Sequence, residues 1–213
     1  MQLDLLGNNI EVNDYLITKI PYEDTKDYIL NIHYAKRMPS ITYAFGLYEK
    51  GVLVGVVCYG SPASQSLCKG IAGQEHRSDV LELNRLVLKN NKKNEASILV
   101  SASFKLLPKP KIIVSYADSE QNHLGTVYQA TNFLYTGLSD KHKEWRMIGN
   151  NLHSKNVCKI YTLSERKSNP DKFIQIERPR KHRYLYFLGN KTQKKLYKKD
   201  LKYKLQEYPK NND

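Results

Sequence analysis

Residues 80–135 read VLELNRLVLKNNKKNEASILVSASFKLLPKPKIIVSYADSEQNHLGTVYQATNFLY, and this stretch decides the fold. Across residues 80–88, Leu81 and Leu83 alternate with Glu82 and Asn84, which is the period of a strand. A polar turn, residues 89–94, opens a segment of helical character over residues 95–107 that stops at Pro108. Residues 111–116, KIIVSY, form a continuous apolar run of the kind that strands buried on both faces display. A second polar turn, residues 117–123, leads into a helix expected over residues 125–134. Two successive βα units with short connections predict one sheet with helices packed on it.

Working outward, residues 15–21 read as a first strand ended by Pro21. Asp24 is placed to cap a helix running through Tyr28, Ile29, Ile32 and His33. Residues 42–47 and 52–59 are apolar runs joined by Tyr48-Glu49-Lys50-Gly51, a hairpin in which Gly51 suits a left-handed position. Residues 146–148, 158–163 and 184–188 are read as the last strands. The expected class is therefore α/β: a central mixed sheet flanked by helices, in the order β-α-β-β-β-α-β-α-β-β. Beyond residue 189, lysine runs alternate with Leu196, Tyr197, Leu201, Tyr203 and Leu205. That spacing predicts a basic amphipathic helix with a frayed end, so residues 1–189 are read as one domain and 190–213 as a basic C-terminal extension.

The chain has 213 residues and a net charge of +13, from 34 Lys and Arg against 21 Asp and Glu. Residues 165–213 hold 15 of the basic and 6 of the acidic side chains, so the excess is concentrated there. Such an excess points to a polyanionic partner. The expected phosphate contacts are Arg178, Arg180, Lys181 and Arg183, which run into the final strand, and Lys194 and Lys195 on the basic helix. A solvated basic face is the alternative. Sixteen tyrosines add aromatic surface able to stack on bases.

Several classes are excluded. The longest apolar run, residues 51–59, is about half of what crosses a bilayer, so no membrane association is expected. The opening MQLDLLGNNIEVND has no basic and apolar regions of a signal peptide. Cys58, Cys68 and Cys158 make no CxxC pair, which suits a reduced, cytoplasmic protein without a zinc finger. There is no HxxxH or GxSxG, and His123 and His153 are isolated.

Two strand ends are rich enough in polar groups to carry chemistry. After residue 88, Lys92 and Lys93, with Asn94 and Ser97 at the start of the next helix, form a candidate cofactor-phosphate site. After residue 116, Asp118 faces Tyr128 on the following helix as a candidate general base and hydroxyl pair. A turn-forming aspartate and an ordinary hydrogen-bonded tyrosine are the alternative. His33, beside Lys36 and Arg37, is a candidate ligand or acid–base group, or else a surface histidine.

The strand order resembles the GNAT (GCN5-related N-acetyltransferase) fold, but the glycine-rich cofactor loop of that fold is missing: no glycine lies between Gly73 and Gly125. The run Leu83-Asn84-Arg85-Leu86, then Ser101-Ala102-Ser103, then residues 114–118 (VSYAD) and 123–135 (HLGTVYQATNFLY), resembles the phage Mom family of GNAT-like DNA-modifying enzymes. The resemblance covers residues 80–137, and more loosely the chain from His33 onward. It implies a phage-encoded enzyme converting adenine in DNA to N6-carbamoylmethyladenine and so shielding phage DNA from host restriction. It implies functional roles for Arg85, Ser103, Asp118, Tyr128 and His33, with His33 the expected ligand of an iron ion. The implied partner is double-stranded DNA with the target adenine flipped out, and a homodimer is a further candidate assembly. An acyl donor such as acetyl-CoA follows from the fold, yet the product carries a CH2 on N6, which simple acetyl transfer does not make. The competing functions are acetylation of a small amine or protein, and DNA binding without catalysis.

Overall fold

The computed structural model describes residues 9–150, 152 and 154–210. Eight strands form one sheet in the order β1-β2-β3-β4-β5-β6-β10-β7. They are β1 (Ile10–Val12), β2 (Tyr15–Lys19), β3 (Tyr43–Glu49), β4 (Val52–Gly60), β5 (Val80–Leu88), β6 (Lys111–Asp118), β7 (Leu134–Leu138) and β10 (Lys181–Leu188). Only β5 and β6 run parallel; every other neighbouring pair is antiparallel. A separate two-stranded ribbon joins β8 (His142–Met147) to β9 (Phe173–Arg178). It interrupts the β7–β10 hairpin, so the whole excursion projects from the end of β10 that carries Lys181.

The helices are α1 (Tyr22–Asp27), α2 (Gln65–Ala72), α3 (Glu95–Leu106), α4 (Thr126–Ala130), α5 (Ser154–Ile160), α6 (Leu163–Ser168) and α7 (Lys191–Asp200). One face of the sheet buries Phe45, Leu47, Leu83 and Ile113 against Leu99, Val100 and Phe104 of α3. The other face packs Val80, Ile112 and Leu185 on α2 and on Tyr197 of α7, and Val56 and Cys58 on Tyr28 and Ile29 after α1. The result is a three-layer α/β sandwich. No described helix is long and apolar enough to cross a membrane.

Several local expectations are corrected. Pro21, not Asp24, begins the first helix, because proline suits a helix start while Asp24 adds its charge in the first turn. That helix continues through a π-helical turn, Tyr28–Ile32, and His33 is the extended residue that ends it. The expected strand at 158–163 is instead the end of α5 and the start of α6: Thr162 and Glu165 make a reciprocal capping box that starts α6. The helix expected to reach residue 134 ends at Ala130, since Asn132 turns left-handed (φ 60°) and β7 begins at Leu134. The strand at 146–148 belongs to the ribbon, not the main sheet. The hairpin loop is tighter than read: Lys50 and Gly51 both have positive φ, and Glu49 pairs with Val52.

The basic C-terminal helix forms as α7, but the segment after it is docked, not frayed. The Lys202 N–H donates to Ile71 O, the Gln206 N–H to Tyr135 O along the outer edge of β7, and the Tyr208 hydroxyl to Phe133 O. Covering an edge strand in this way removes a site for unwanted pairing. Residues 211–213 of the expected extension lie outside the described residues.

Gly60, at the end of β4, is required by a close approach. A Cβ there would lie 1.9 Å from Ser40 O, and Ser40 O also accepts a hydrogen bond from Asn84 Nδ2 at 2.7 Å. Gly60→Ala is expected to push the 37–41 loop off the sheet and lower unfolding free energy by about 1–3 kcal/mol. A denaturant titration showing an unchanged midpoint contradicts that reading.

Candidate active site

Strands β5 and β6 pair only from Val80↔Ile112 to Leu83↔Ser115. At Asn84 a bulge shifts the register of β5 against β4, so that Tyr59 faces Leu83 but Cys58 faces Arg85. A bulge bends its strand and increases the local twist. Beyond it β5 stays with β4 while residues 116–118 of β6 pair with β10 alone. The two parallel strands therefore part, and the gap between them opens a cleft of about 1130 Å³. That is slightly more than the volume of most small-molecule sites, about 300–1,000 Å³.

Charged and aromatic side chains from several elements line this cleft. Arg85 is clamped by two backbone carbonyls, donating to Asn84 O at 2.6 Å and Arg37 O at 2.8 Å. Burial, and next the charge of Arg37, lowers its pKa. Its Nε, with Asn84 Oδ1, is a buried polar atom with no hydrogen-bond partner among the described residues. Native proteins rarely leave such atoms unpaired except where function uses them.

Asp118, 8% exposed at the end of β6, accepts from Lys181 Nζ at 2.6 Å and from the Glu120 N–H at 3.2 Å. Burial alone would raise its pKa, but the Lys181 ammonium outweighs burial and holds the carboxyl below its usual range. Asp118 is thus a fixed anion and a hydrogen-bond acceptor, and a weak base.

Glu82 is the group the sequence reading passed over. It lines the same cleft, and burial raises its pKa against the opposing charges of Arg85 and Lys181. A carboxylate in a strand otherwise flanked by buried Leu81 and Leu83 was the available signal. Tyr34 was also missed. The residue is 52% exposed and lines the cleft, its ring stacks on His33 at 4.4 Å, and its hydroxyl lies 3.5 Å from Asp118 Oδ2.

Tyr128 enters from α4. Its pKa is raised by burial and partly lowered by the Ser115 hydroxyl, and the nearby charges include Glu82 and Tyr34. Gly125, which precedes α4 with φ 75°, has no room for a Cβ between the rings of Tyr184 and Tyr128. Ser103 lies elsewhere. It is fully buried on α3, donates to Val100 O at 2.7 Å and meets the Tyr59 hydroxyl at 2.6 Å. It does not line the cleft, and it supports the packing behind it. Ser103→Ala leaves the buried Tyr59 hydroxyl without that partner and is expected to lower stability by about 1–3 kcal/mol, read as a denaturant midpoint shift at unchanged slope.

A model of the Mom protein family matches residues 14–210. This chain belongs to the Mom protein family. It is 26% identical over 188 residues to the methylcarbamoylase Mom of Escherichia phage Mu, covering 84% of this chain and 76% of that one. Solved structures similar to it include a ribosomal-protein-S5-alanine acetyltransferase from Vibrio fischeri (11% identity, 85% and 97% of the two chains, TM-score 0.48) and a GNAT-family acetyltransferase from Bacillus cereus (14%, 83% and 99%, TM-score 0.44).

In this Mom-family chain the cleft unites Arg85, Asp118, Tyr128 and His33, but His33 does not fit a metal centre. Its Nδ1 accepts the Ala35 N–H at 3.0 Å, so the neutral ring carries its proton on Nε2. A metal-bound histidine has the reverse arrangement, donating from its second nitrogen. The described residues hold no group of three His, Cys, Asp or Glu side chains able to bind a metal. Burial, then Arg85 and His123, lowers the His33 pKa to about 4, so the ring is neutral at pH 7.

The expected phosphate site is also rearranged. Lys92 Nζ is held by the Glu49 carboxylate at 2.6 and 2.8 Å. The fully buried Glu95 carboxylate, itself at the start of α3, accepts the Lys92 N–H and the Tyr15 hydroxyl, so an acidic group already sits at that helix end. Asn94 is left-handed and makes no side-chain cap, and Ser97 donates to Asn94 O. None of Lys92, Lys93, Asn94 and Ser97 lines the cleft. Ser97 and Lys194 instead line a second hollow of about 450 Å³ between α3 and β10.

Of the expected DNA contacts, three are turned inward. Arg180 binds Ser139 O and Leu138 O, Lys181 binds Asp118, and Arg183 binds Thr136 with its guanidinium 3.4 Å from the Tyr203 ring. Arg178 is exposed and lines the cleft. Lys194 and Lys195 are exposed on α7, which follows the far end of β10, about 24 Å from Asp118 by strand rise.

Proposed function

We propose that this protein is a DNA-modifying transferase that places a carbamoylmethyl group on N6 of adenine. The observation that carries the reading is the convergence of Glu82, Arg85, Asp118 and Tyr128 in the parted β5–β6 cleft of a Mom-family chain. The methylcarbamoylase of phage Mu, a relative of this chain, supports the same chemistry.

Adenine N6 is paired and stacked in a duplex, so the base must leave the helix to react. The cleft has room for a purine beside a donor group. The exposed Tyr34 ring, backed by His33, gives the base a stacking platform, worth about 1–3 kcal/mol per base. Replacing an N6–H by N6–CH2 releases one proton. Asp118 accepts a hydrogen bond from the N6 amine and orients it, and Glu82, the weaker acid of the two carboxylic groups, takes the proton. Arg85, anchored by two carbonyls at the cleft wall, supplies the fixed positive charge that attracts the donor's anionic or carbonyl oxygen. Tyr128 donates its hydroxyl into the cleft to the leaving side of the donor. The N6–CH2 bond forms as the bond from that CH2 to the donor's leaving group breaks, and the leaving group departs with the electron pair, hydrogen-bonded by Tyr128.

Nucleoside mass spectrometry of plasmid DNA from expressing cells tests the proposal. The expected result is a deoxyadenosine heavier by one carbamoylmethyl group. An acetylated nucleoside transfers the reading to simple acetylation, and unmodified DNA beside folded protein supports binding without catalysis.

A further inference from the structure

Between Asp140 and Arg180 the chain holds ten lysines and arginines against five aspartates and glutamates, and this segment is the ribbon with its two helices. One face of the ribbon is covered: Arg166 of α6 lies 5.3 Å from the Trp145 ring, and Tyr161 packs at 4.8 Å on Phe173. Strand alternation sends His142, Glu144 and Arg146 of β8, and Ile174, Ile176 and Arg178 of β9, to the opposite face. That face is uncovered, with Arg178 and Arg146 exposed and Ile174 49% exposed. Glu144 fixes the Arg146 guanidinium through contacts of 2.6 and 2.7 Å. The face is also continuous with the active-site cleft, because His142 and Arg178, directly paired, line its mouth.

We propose that this open ribbon face is the surface on which the DNA duplex lies, with the flanking strand led past Arg178 and His142 into the cleft. The inference rests on the adenine-modification reading and adds to it the element that holds the polymer. Six-residue strands span about 17 Å, which matches roughly five base-pair steps along the DNA axis. A two-stranded ribbon is one of the two elements that the major groove admits. Arg146 and Arg178 sit at opposite ends of the face, spaced to contact phosphates, and Ile174 and Ile176 offer apolar contact between them. Helix α7, the most lysine-rich segment, is at the wrong end of the sheet for this task.

The test is fluorescence anisotropy of a labelled duplex over a salt series, with Arg146→Ala, Arg178→Ala, their double variant and Lys19→Ala on the opposite edge of the sheet. Trp145 is the only tryptophan and lies on the covered face, so its emission verifies that the ribbon remains folded. Each arginine replacement is expected to weaken binding and to reduce the slope of log K against log salt by about 1, the double variant by about 2, and Lys19→Ala by none. Modification of plasmid DNA should fall in the same order. A double variant with unchanged slope, from a protein that still binds and modifies DNA, overturns the ribbon proposal and leaves the adenine reading standing. A wild-type protein that neither binds nor modifies DNA overturns both. If Ile174→Glu changes the sedimentation of the protein while DNA affinity is unchanged, the face is a self-association surface and the proposal fails.

Discussion

Glu82→Gln is expected to slow adenine modification by about 10²–10⁴-fold, the usual contribution of a positioned general base, with DNA affinity unchanged. The substitution keeps the shape of the side chain and removes its basicity. Burial raises the Glu82 pKa, and Arg85 and Lys181 only partly counter it. A base works in its deprotonated form, so the wild-type rate should rise with pH through a limb placed above the ordinary glutamate value of about 4.3. The variant should lack that limb. A Glu82→Gln protein with the wild-type rate and an intact limb sinks the assignment and returns the role of base to Asp118.

Asp118→Ala is expected to abolish modification and to lower unfolding free energy by about 1.5–3 kcal/mol, because it removes the charged hydrogen-bond partner of the part-exposed Lys181 ammonium beside the cleft. A second variant separates the two effects. Asp118→Ala with Lys181→Met should recover much of the stability and none of the activity. The pH dependence has a definite sign. The folded pKa of Asp118 is depressed, so its stabilisation is complete above the unfolded value of about 3.9 and fades as pH falls through the lower folded value. The stability gap between wild type and Asp118→Ala, measured by denaturant titration, should be constant near neutrality and narrow in acid. A gap that widens in acid contradicts the ion pair.

The sequence made the centre of the sheet legible because period and length agree there. Residues 80–88 and 111–116 could be nothing but strands once Pro108 had closed the intervening helix, and both are found. At 158–163 the two criteria conflicted. Ile160, Tyr161 and Leu163 look extended, while Thr162 and Glu165 carry the capping signal that prevails. The pattern FIQIER at β9 alternates correctly for a strand and was passed over among charged neighbours. The site was legible where a side chain sits at a strand end, as with Asp118, and not where function depends on which face a residue takes. Arg178 and Arg183 belong to one basic cluster in sequence, yet the first reaches the cleft mouth and the second is 6% exposed against Tyr203. Charge density along a chain carries no information about facing. Glu82 was hidden for the opposite reason: in the linear pattern it is simply the polar half of an alternation.

The position of β10 also sets a schedule. It fills the slot between β6 and β7, both of which are synthesised before it. Until residues 181–188 have left the ribosome, β6 has an open edge along its whole length and Asp118 has no Lys181 to bind. Closing the sheet requires a contact between segments more than 60 residues apart, a slow step of the kind that leaves nascent chains exposed to aggregation. Assembly of the cleft therefore waits for a late long-range event of folding, and a chain stalled before that point has neither a finished sheet nor the Asp118–Lys181 pair.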